Sequence, residues 1–336
     1  MYRNYCAGAI IAASESKIFE DGGSIDAEGH STVVAIVLLC CSPVRSQINP
    51  NQVAILKWYP ANTTATFPVG RAPWAAAFDG SSIWVTNFPD ATVTRLRPSD
   101  GLRLATYKTG NGPTAMAFDG ESLWIANSGS NSVTKIRCRD GAVVGTFSVG
   151  NTPDGIAFDG ANIWVANGLG NTVTKLRAID GVTLGTFPVG KEPACVAFDG
   201  SNIWVNNFAS GSVTKLRASD GKNLGEFPVG AGAEAIAFDG TNMWITNSDS
   251  NTVTKLRASD GFTLGTFAVG LTPSGIVFDG QSVWVTNYRS STITKLRVSD
   301  GKVLGTFPTG KEPLVPCFDG TNIWVPNDDD HSVSKM

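Results

Sequence analysis

The amino-acid sequence predicts an all-β fold, a seven-bladed β-propeller of four-stranded antiparallel blades, and three observations carry that prediction. The first is a period. Phe-Asp-Gly begins at Phe78, Phe118, Phe158, Phe198, Phe238, Phe278 and Phe318, and tryptophan stands at Trp84, Trp124, Trp164, Trp204, Trp244, Trp284 and Trp324, always 40 residues apart. A fixed period of this length marks a repeat architecture, in which one supersecondary unit buries its apolar surface only against its neighbours. The second observation is the content of one unit. Within 151–190, the runs 155–158, 163–167, 172–177 and 184–189 are short, rich in Val, Ile, Thr, Trp and Phe, and separated by Asp, Asn and Gly, which reads as four strands. The third is a permutation. The chain enters the repeat in its middle at Asn51 and leaves it in the middle after Lys311, so the half missing at the end is the half left over at the beginning. Complementary fragments have a use only in a ring that joins its ends, so the units close as blades rather than stack as an open solenoid.

The elements follow in order. Residues 1–50 lack the repeat and form a leader or poorly ordered segment, and 51–336 form the propeller. Within the leader, 33–41 is a run of nine apolar residues, well short of the roughly 20 that span a bilayer but of the length of a signal-peptide core. Export to the periplasm or the exterior is therefore the expectation over a cytoplasmic location. Residues 64–69 should supply the outermost strand of the last blade, and two segments, 53–58 and 331–335, compete for the strand inside it, with the C-terminal one favoured. In each blade Asp-Gly pairs such as Asp159-Gly160 and Asp180-Gly181 mark the A–B and C–D turns, where glycine supplies positive φ. Those turns share one rim, and the B–C and D–A connections share the other. Trp164 and its equivalents read as core side chains whose indole N–H needs an internal partner.

Bulk composition excludes some functions. The 336 residues carry a net charge of -3 from 26 basic and 29 acidic side chains, which argues against a nucleic-acid or anionic-membrane partner, and no transmembrane segment is present. Lys-x-Arg pairs such as Lys215 and Arg217 read as inter-blade ion pairs or a solvated face. The cysteines Cys6, Cys40, Cys41, Cys138, Cys195 and Cys317 follow neither the period nor a metal-ligand spacing, so neither a disulfide framework nor a zinc site is expected. His30 and His331 are the two histidines. The chain shows no Gly-x-Ser-x-Gly elbow, phosphate loop or histidine beside a nucleophile.

Seven near-copies stop being copies on one rim only. After each recurrent asparagine, from Asn87 to Asn327, the B–C residues differ in every blade, from FPDA at Phe88 to DDDH at Asp328, and so do the D–A connections, from RAPWA at Arg71 to KEPLV at Lys311. Loops on a rigid frame are where binding is placed. Large and charged side chains in them are the candidate ligand contacts: Arg71, Trp74, Phe88, Asp154, Glu192, Phe208, Glu234, Tyr288, Arg289 and Asp328. They are expected on exposed loops with no core to fill, densest across blades six, seven and one. The partner class is a protein, a glycan or a small molecule. No cofactor is required, although the recurrent asparagines, read first as loop caps, form a ring of seven amides that could offer oxygens to a cation.

The segments Trp84-Val85-Thr86-Asn87, Trp244-Ile245-Thr246-Asn247 and Trp284-Val285-Thr286-Asn287, each preceded by Phe-Asp-Gly, resemble the YVTN repeat of bacterial and archaeal propellers, with Trp for Tyr. The resemblance covers about residues 51–336. It implies a seven-bladed, usually exported binding propeller of the YncE family. The unit is also similar to NHL repeats and to the repeats of the virginiamycin B lyases, which are metal-dependent enzymes. The lyases' catalytic histidine has no match, since His331 is the one histidine of the repeat region. Gluconolactonase-type propellers hold a divalent cation in the channel with Glu, Asp and Asn. Glu234, Asp154, Asn167 and Asn247 are the residues that could mimic that set, under the alternative of a metal-dependent lyase or lactone hydrolase at the channel mouth.

Overall fold

The structure, a computed structural model of the protein, describes residues 65–336. The leader 1–50, its apolar run and the rival strand 53–58 lie outside the described residues. Strand β1 (Ala65–Pro68) comes first, and blade 1 follows as β2 (Pro73–Phe78), β3 (Ile83–Asn87), β4 (Thr92–Leu96) and β5 (Arg103–Lys108). The same four strands, A to D from the channel outward, recur through five more blades to β25 (Val303–Pro308), and β26 (Cys317–Phe318), β27 (Ile323–Asn327) and β28 (Ser332–Lys335) close the chain. Among the described residues these form seven four-stranded antiparallel sheets, as the period predicts. No helix there is long and apolar enough to cross a membrane.

The seventh sheet joins the ends. β1 lies antiparallel on β28, with Thr66 opposite Ser334 and Phe67 opposite Val333, in the order β1-β28-β27-β26. The C-terminal candidate is therefore the third strand of this blade. Its innermost strand is short because Pro316 and Pro326 remove backbone donors. Val315 turns instead to the first blade, donating its N–H to the Trp74 carbonyl at 3.1 Å and accepting from Ala76 N at 3.0 Å.

Each blade carries the same cassette from turn to turn. The aspartate of Phe-Asp-Gly accepts backbone N–H groups of the A–B turn on Oδ1, as Asp159 does from Ala161 and Asn162. Its Oδ2 accepts the indole N–H at 2.7 Å, from Trp84 on Asp79 to Trp324 on Asp319. Over the indole lies the strand C lysine, with Lys175 Nζ 4.9 Å from the Trp164 ring. That lysine also donates to a carbonyl of the next blade: Lys135 to Ala178, Lys175 to Ala218, Lys215 to Ala258, and across the closure Lys335 to Pro98, each at 2.7 Å. The Lys-x-Arg pairs thus divide their work differently from the inter-blade ion pairs expected. Lysine stitches blade to blade through a cation–π contact and a carbonyl, while arginine pairs with the turn aspartate of its own blade, as Arg177 does with Asp180 at 2.6 Å.

The glycines of the two turn types have different reasons. Gly160, at φ 96°, has open space where a Cβ would be, so only its backbone conformation demands glycine. Gly181, at φ 76°, seats the ring of Phe147 from the preceding blade, and Gly101 seats Phe67 of the closing strand in the same way. The packing of neighbouring blades therefore reads through the C–D turn. Cys138, Cys195 and Cys317 are buried and free.

Candidate functional site

Strand A starts earlier than its sequence suggests, and this changes what the variable rim is. In blade 3 it runs Pro153–Phe158 with a register shift between Pro153 and Gly155. Proline lacks a donor, and the bulge absorbs it at the strand start. Residues read as the end of an exposed D–A loop thus belong to the innermost strand. One position unites them around the channel: Trp74, Thr114, Asp154, Ala194, Glu234, Ser274 and Leu314, one per blade. All seven are buried, Asp154 at 0% exposure and Glu234 at 1%. Trp74, Asp154 and Glu234 are therefore not exposed loop residues. Trp74 stacks on Phe88 at 5.0 Å and belongs to the main core, so it is an inner-wall aromatic whose removal carries a stability cost.

The three large or charged side chains of this inner ring each meet the first residue of their own B–C connection. Trp74 meets Phe88, the Asp154 carboxylate sits where a Cβ on Gly168 would fall, and Glu234 bonds Ser248. Burial is the largest influence on Glu234 and pushes its carboxyl well above the usual carboxylate range, against the Ser248 bond. The B–C residue in turn reaches the D–A connection of the next blade. Phe88 fits against Gly112, and Tyr288 Oη donates to Glu312 Oε2 at 2.7 Å. In blade 1 the inner-ring, B–C and D–A positions thus interlock as Trp74, Phe88 and Gly112.

That frame holds strained backbone. The second D–A residue has positive φ in every blade, including Ala72 (43°), Thr152 (53°), Glu192 (52°), Thr272 (52°) and Glu312 (55°), and the residue closing the B–C turn does too, from Ala91 (51°) to His331 (51°). A β-branched threonine there is a genuine outlier. Side chains are held at these places at a cost of about 1 kcal/mol or more each, where glycine would sit freely.

The remaining candidates lie on the outer rim. Phe208, Tyr288 and Asp328 are half-buried, Arg289 is exposed, and Glu192 is half-buried with its N–H on Asn171 Oδ1 at 2.9 Å. Arg71 is exposed and pairs with Asp90 at 2.6 Å. Closure brings blades six, seven and one together here. Tyr288 bonds Glu312, and Asp328 lies close enough to both for their charge and hydroxyl to act on it. His331 Nδ1 is 3.2 Å from Ala72 N. Burial first, and then the Glu312 charge, raises Asp328 to about 6. Burial and the Glu312 bond likewise push the Tyr288 phenol up. Phe208 and Glu192 stand two to three blades away from this sector. Glu312 is a sector residue that its repeat KEP, shared with Lys191-Glu192-Pro193, did not single out.

The recurrent asparagines are not an open ring of cation ligands. Asn167 Oδ1 accepts Gly150 N at 2.9 Å while its Nδ2 donates to Thr172 and Thr174, and Asn247 does the same with Gly230, Thr252 and Thr254. In five blades the asparagine oxygen accepts the glycine N–H at the end of the preceding D strand and is thereby engaged, whereas Asn207 Oδ1 and Asn327 Oδ1 are buried without a hydrogen-bond partner among the described residues. Among the described residues no group of three His, Cys, Asp or Glu is placed to hold a metal ion. Of the four residues that could mimic a cation set, Asn167 and Asn247 thus have their oxygens engaged by backbone N–H groups, and Asp154 and Glu234 are buried in different blades.

No family model matches the chain, and no curated protein does either. Solved structures do match. A streptogramin B lyase structure superposes with a TM-score of 0.71 at 17% identity, covering 81% of this chain and 96% of that one. Virginiamycin B lyase from Staphylococcus aureus gives 0.70 at 19%, covering 81% and 98%. U3-55K gives 0.73 at 14%, covering 82% and 98%. At these identities the likeness is one of fold, and the propeller frame is shared by lyases and by U3-55K.

Proposed function

We propose that this chain is a binding propeller whose ligand lies across the channel mouth on the rim of the B–C and D–A connections. One observation carries the reading. Seven blades that repeat Phe-Asp-Gly, Trp and Asn without exception place seven different residues, Trp, Thr, Asp, Ala, Glu, Ser and Leu, at one equivalent position, inside the innermost strand in blades 1 to 6 and three residues before it in blade 7. A purely structural position would repeat like Trp164 does. The mouth is also where the backbone holds non-glycine residues at positive φ, and such strain gathers where side chains must be displayed. Its two halves differ, with Trp74 and Leu314 on the apolar side and Asp154 and Glu234 on the acidic side. A ligand of mixed character, such as a glycan, a peptide or a small molecule, would lie over both halves of this buried ring. Fold likeness to two lyases carries no activity over, because one frame hosts unrelated functions.

A thermal-shift screen of glycans and metabolites with the full chain tests this reading, since a ligand of the folded state raises Tm. Arg289→Ala and Tyr288→Ala should weaken a hit, whereas Lys222→Ala on the turn rim should not. A hit abolished by Lys222→Ala and unmoved by the other two places the ligand on the opposite face.

A further inference from the structure

The junction between blades 6 and 7 holds a cavity of about 580 Å³, lined by residues 308–310 from blade 6 and by Thr66, Asp330, Ser332 and Ser334 from blade 7. Its wall differs from the equivalent place in every other blade. Strand C opens with two hydroxyl residues throughout, and blade 7 alone has serine at both, where blades 1, 3, 5 and 6 have two threonines and blades 2 and 4 have serine then threonine. Methyl groups are thus missing here. Gly310 keeps the opposite side clear, since a Cβ on it would fall 2.5 Å from Asn327 Cγ and 2.7 Å from Asp330 Oδ2. The wall is one bonded cluster: Asn327 Nδ2 donates to Ser332 Oγ at 3.1 Å and to Ser334 Oγ at 2.9 Å. Asn327 is 0% exposed, yet its Oδ1 has no hydrogen-bond partner among the described residues. Blade 4, where Asn207 Oδ1 is likewise unpaired, supplies an oxygen of its own to this place. Glu226 stands there at the position of Thr66 and accepts the Ser212 hydroxyl, whose oxygen takes the Asn207 amide.

Blade 7 thus has the donors that blade 4 satisfies internally. A serine hydroxyl that accepts the asparagine amide still has its proton to give, as Ser212 does. Asp330 adds acceptors. Its Oδ2 takes the Lys311 N–H at 2.7 Å, the task a serine performs in blades 2, 4, 5 and 6, so its second oxygen and its charge are surplus to the turn. The corresponding Asp90 of blade 1 pairs with Arg71, whereas Lys311 Nζ turns to Asp329. An anion at this junction would meet the Asp330 charge, and a bare cation would compete with the Asn327 amide for the serine lone pairs. A neutral hydroxyl suits both walls, because it donates to the carboxylate while accepting from serine. The volume falls within the range of small-molecule sites, about 300–1,000 Å³. We propose that the junction of blades 6 and 7 is a binding site for a neutral pyranose, with Asp330 accepting from its hydroxyls and Ser332 and Ser334 donating to them. The site lies at the third and fourth strands, away from the channel, so it does not depend on the mouth being a ligand site.

Saturation-transfer difference NMR of the full chain tests it, with methyl α-D-glucopyranoside, methyl α-D-mannopyranoside and methyl β-D-galactopyranoside as neutral probes and D-glucuronate as the anion. At least one neutral glycoside should bind, and glucuronate should bind more weakly than it. Ser332→Thr with Ser334→Thr installs the threonine pair of blades 1, 3, 5 and 6, so it should keep the fold and its Tm while the added methyls weaken binding roughly tenfold or more. Asp330→Ser, the residue of blade 6, keeps a partner for the Lys311 N–H and should weaken binding by a similar factor. Thr66→Glu places blade 4's carboxylate over the serines and should abolish it. If the double threonine variant fails to fold, Asp330→Ser and Thr66→Glu decide. No transfer to any of the three glycosides at millimolar concentration, or tighter binding of glucuronate, overturns the site. Binding that survives both the threonine pair and Thr66→Glu overturns it too. A glycoside lost in Tyr288→Ala but retained by the threonine pair lies at the mouth, which overturns the junction and leaves the mouth reading standing. A glycoside lost in the threonine pair and retained by Tyr288→Ala supports the junction, whatever the mouth binds.

Discussion

The two rims of this propeller are built from the same seven repeats and could hardly differ more. On the turn rim every blade repeats Asp, Trp and Lys or Arg, and the contacts run from one blade into the next, as from Lys175 to the Ala218 carbonyl and from Phe147 to Gly181. On the channel-mouth rim the backbone repeats equally well, down to the positive φ at Thr152, Glu192 and Glu312, yet the side chains do not. The contrast teaches that identical geometry serves two ends. One rim uses it to hold the ring shut, and the other uses it to present seven different groups at fixed places.

Removing residues through Gly70 should have the largest effect. It strips β1 from β28, Phe67 from its seat on Gly101, and the Gly70 N–H from Asn87 at 2.9 Å, and it leaves an open sheet edge. Loss of soluble, cooperatively melting protein is expected, and an unchanged melting curve would show that closure does not bear on stability. Trp164→Ala comes next. It empties a fully buried site and leaves Asp159 Oδ2 and Lys175 without the indole, so a loss of about 3–5 kcal/mol is expected in denaturant unfolding. The same substitution at Trp74 should cost stability too, because that side chain is 4% exposed.

Gly181→Ala and Gly160→Ala separate conformation from packing on the turn rim. Both place a side chain at positive φ, a strain of about 1–3 kcal/mol, but only Gly181→Ala also strikes the Phe147 ring. It should therefore be the more damaging of the pair, and equal costs would mean that the Phe seat contributes nothing. On the mouth rim, Asp328 sets a pH dependence. Its folded-state value of about 6 lies above the ordinary 3.8, so its contribution to stability is fully present below about 3.8 and is lost as pH rises through about 6. Asp328→Asn should raise Tm at pH 7 and leave it unmoved at pH 3.5. A gain that is equal at both pH values would trace to something other than this carboxyl. Glu192→Gly should have the smallest effect, within about 1 kcal/mol, since relief of positive φ offsets the entropy glycine adds to the unfolded chain. A large loss would give Glu192 a structural role beyond display.

The blade count, the four-strand unit, the turn residues and the closing strand were all legible in the chain, because each rests on a local signal repeated seven times. Asp159 three residues before Asn162 and five before Trp164 is a turn, a cap and an indole acceptor in one short span. The mouth was legible only in part. Its variability stood out and Arg71 is exposed as expected, whereas Tyr288 and Asp328 are half-buried, with Tyr288 packed against the main core. Trp74, Asp154 and Glu234 were visible as unusual residues but were misplaced onto exposed loops, since a strand that begins with proline and a bulge looks like a loop. Glu312 escaped notice, as nothing local sets apart a second KEP. Reading position 74 down all seven repeats as one column would have gathered the inner ring.

What the sequence determined by itself is the scaffold: hydrophobic period, turn chemistry and permuted ends leave one closed ring as the arrangement that buries every blade on both faces. What only the tertiary structure decided is which side chains share a place. Closure set Lys335 on the Pro98 carbonyl and His331 beside Ala72 across more than 230 residues of sequence, and ring geometry placed Tyr288 of blade 6 on Glu312 of blade 7. The reason is physical. Contacts within a blade are encoded at short range by propensity and spacing, whereas contacts across the channel depend on the curvature of the whole ring, which no single repeat contains.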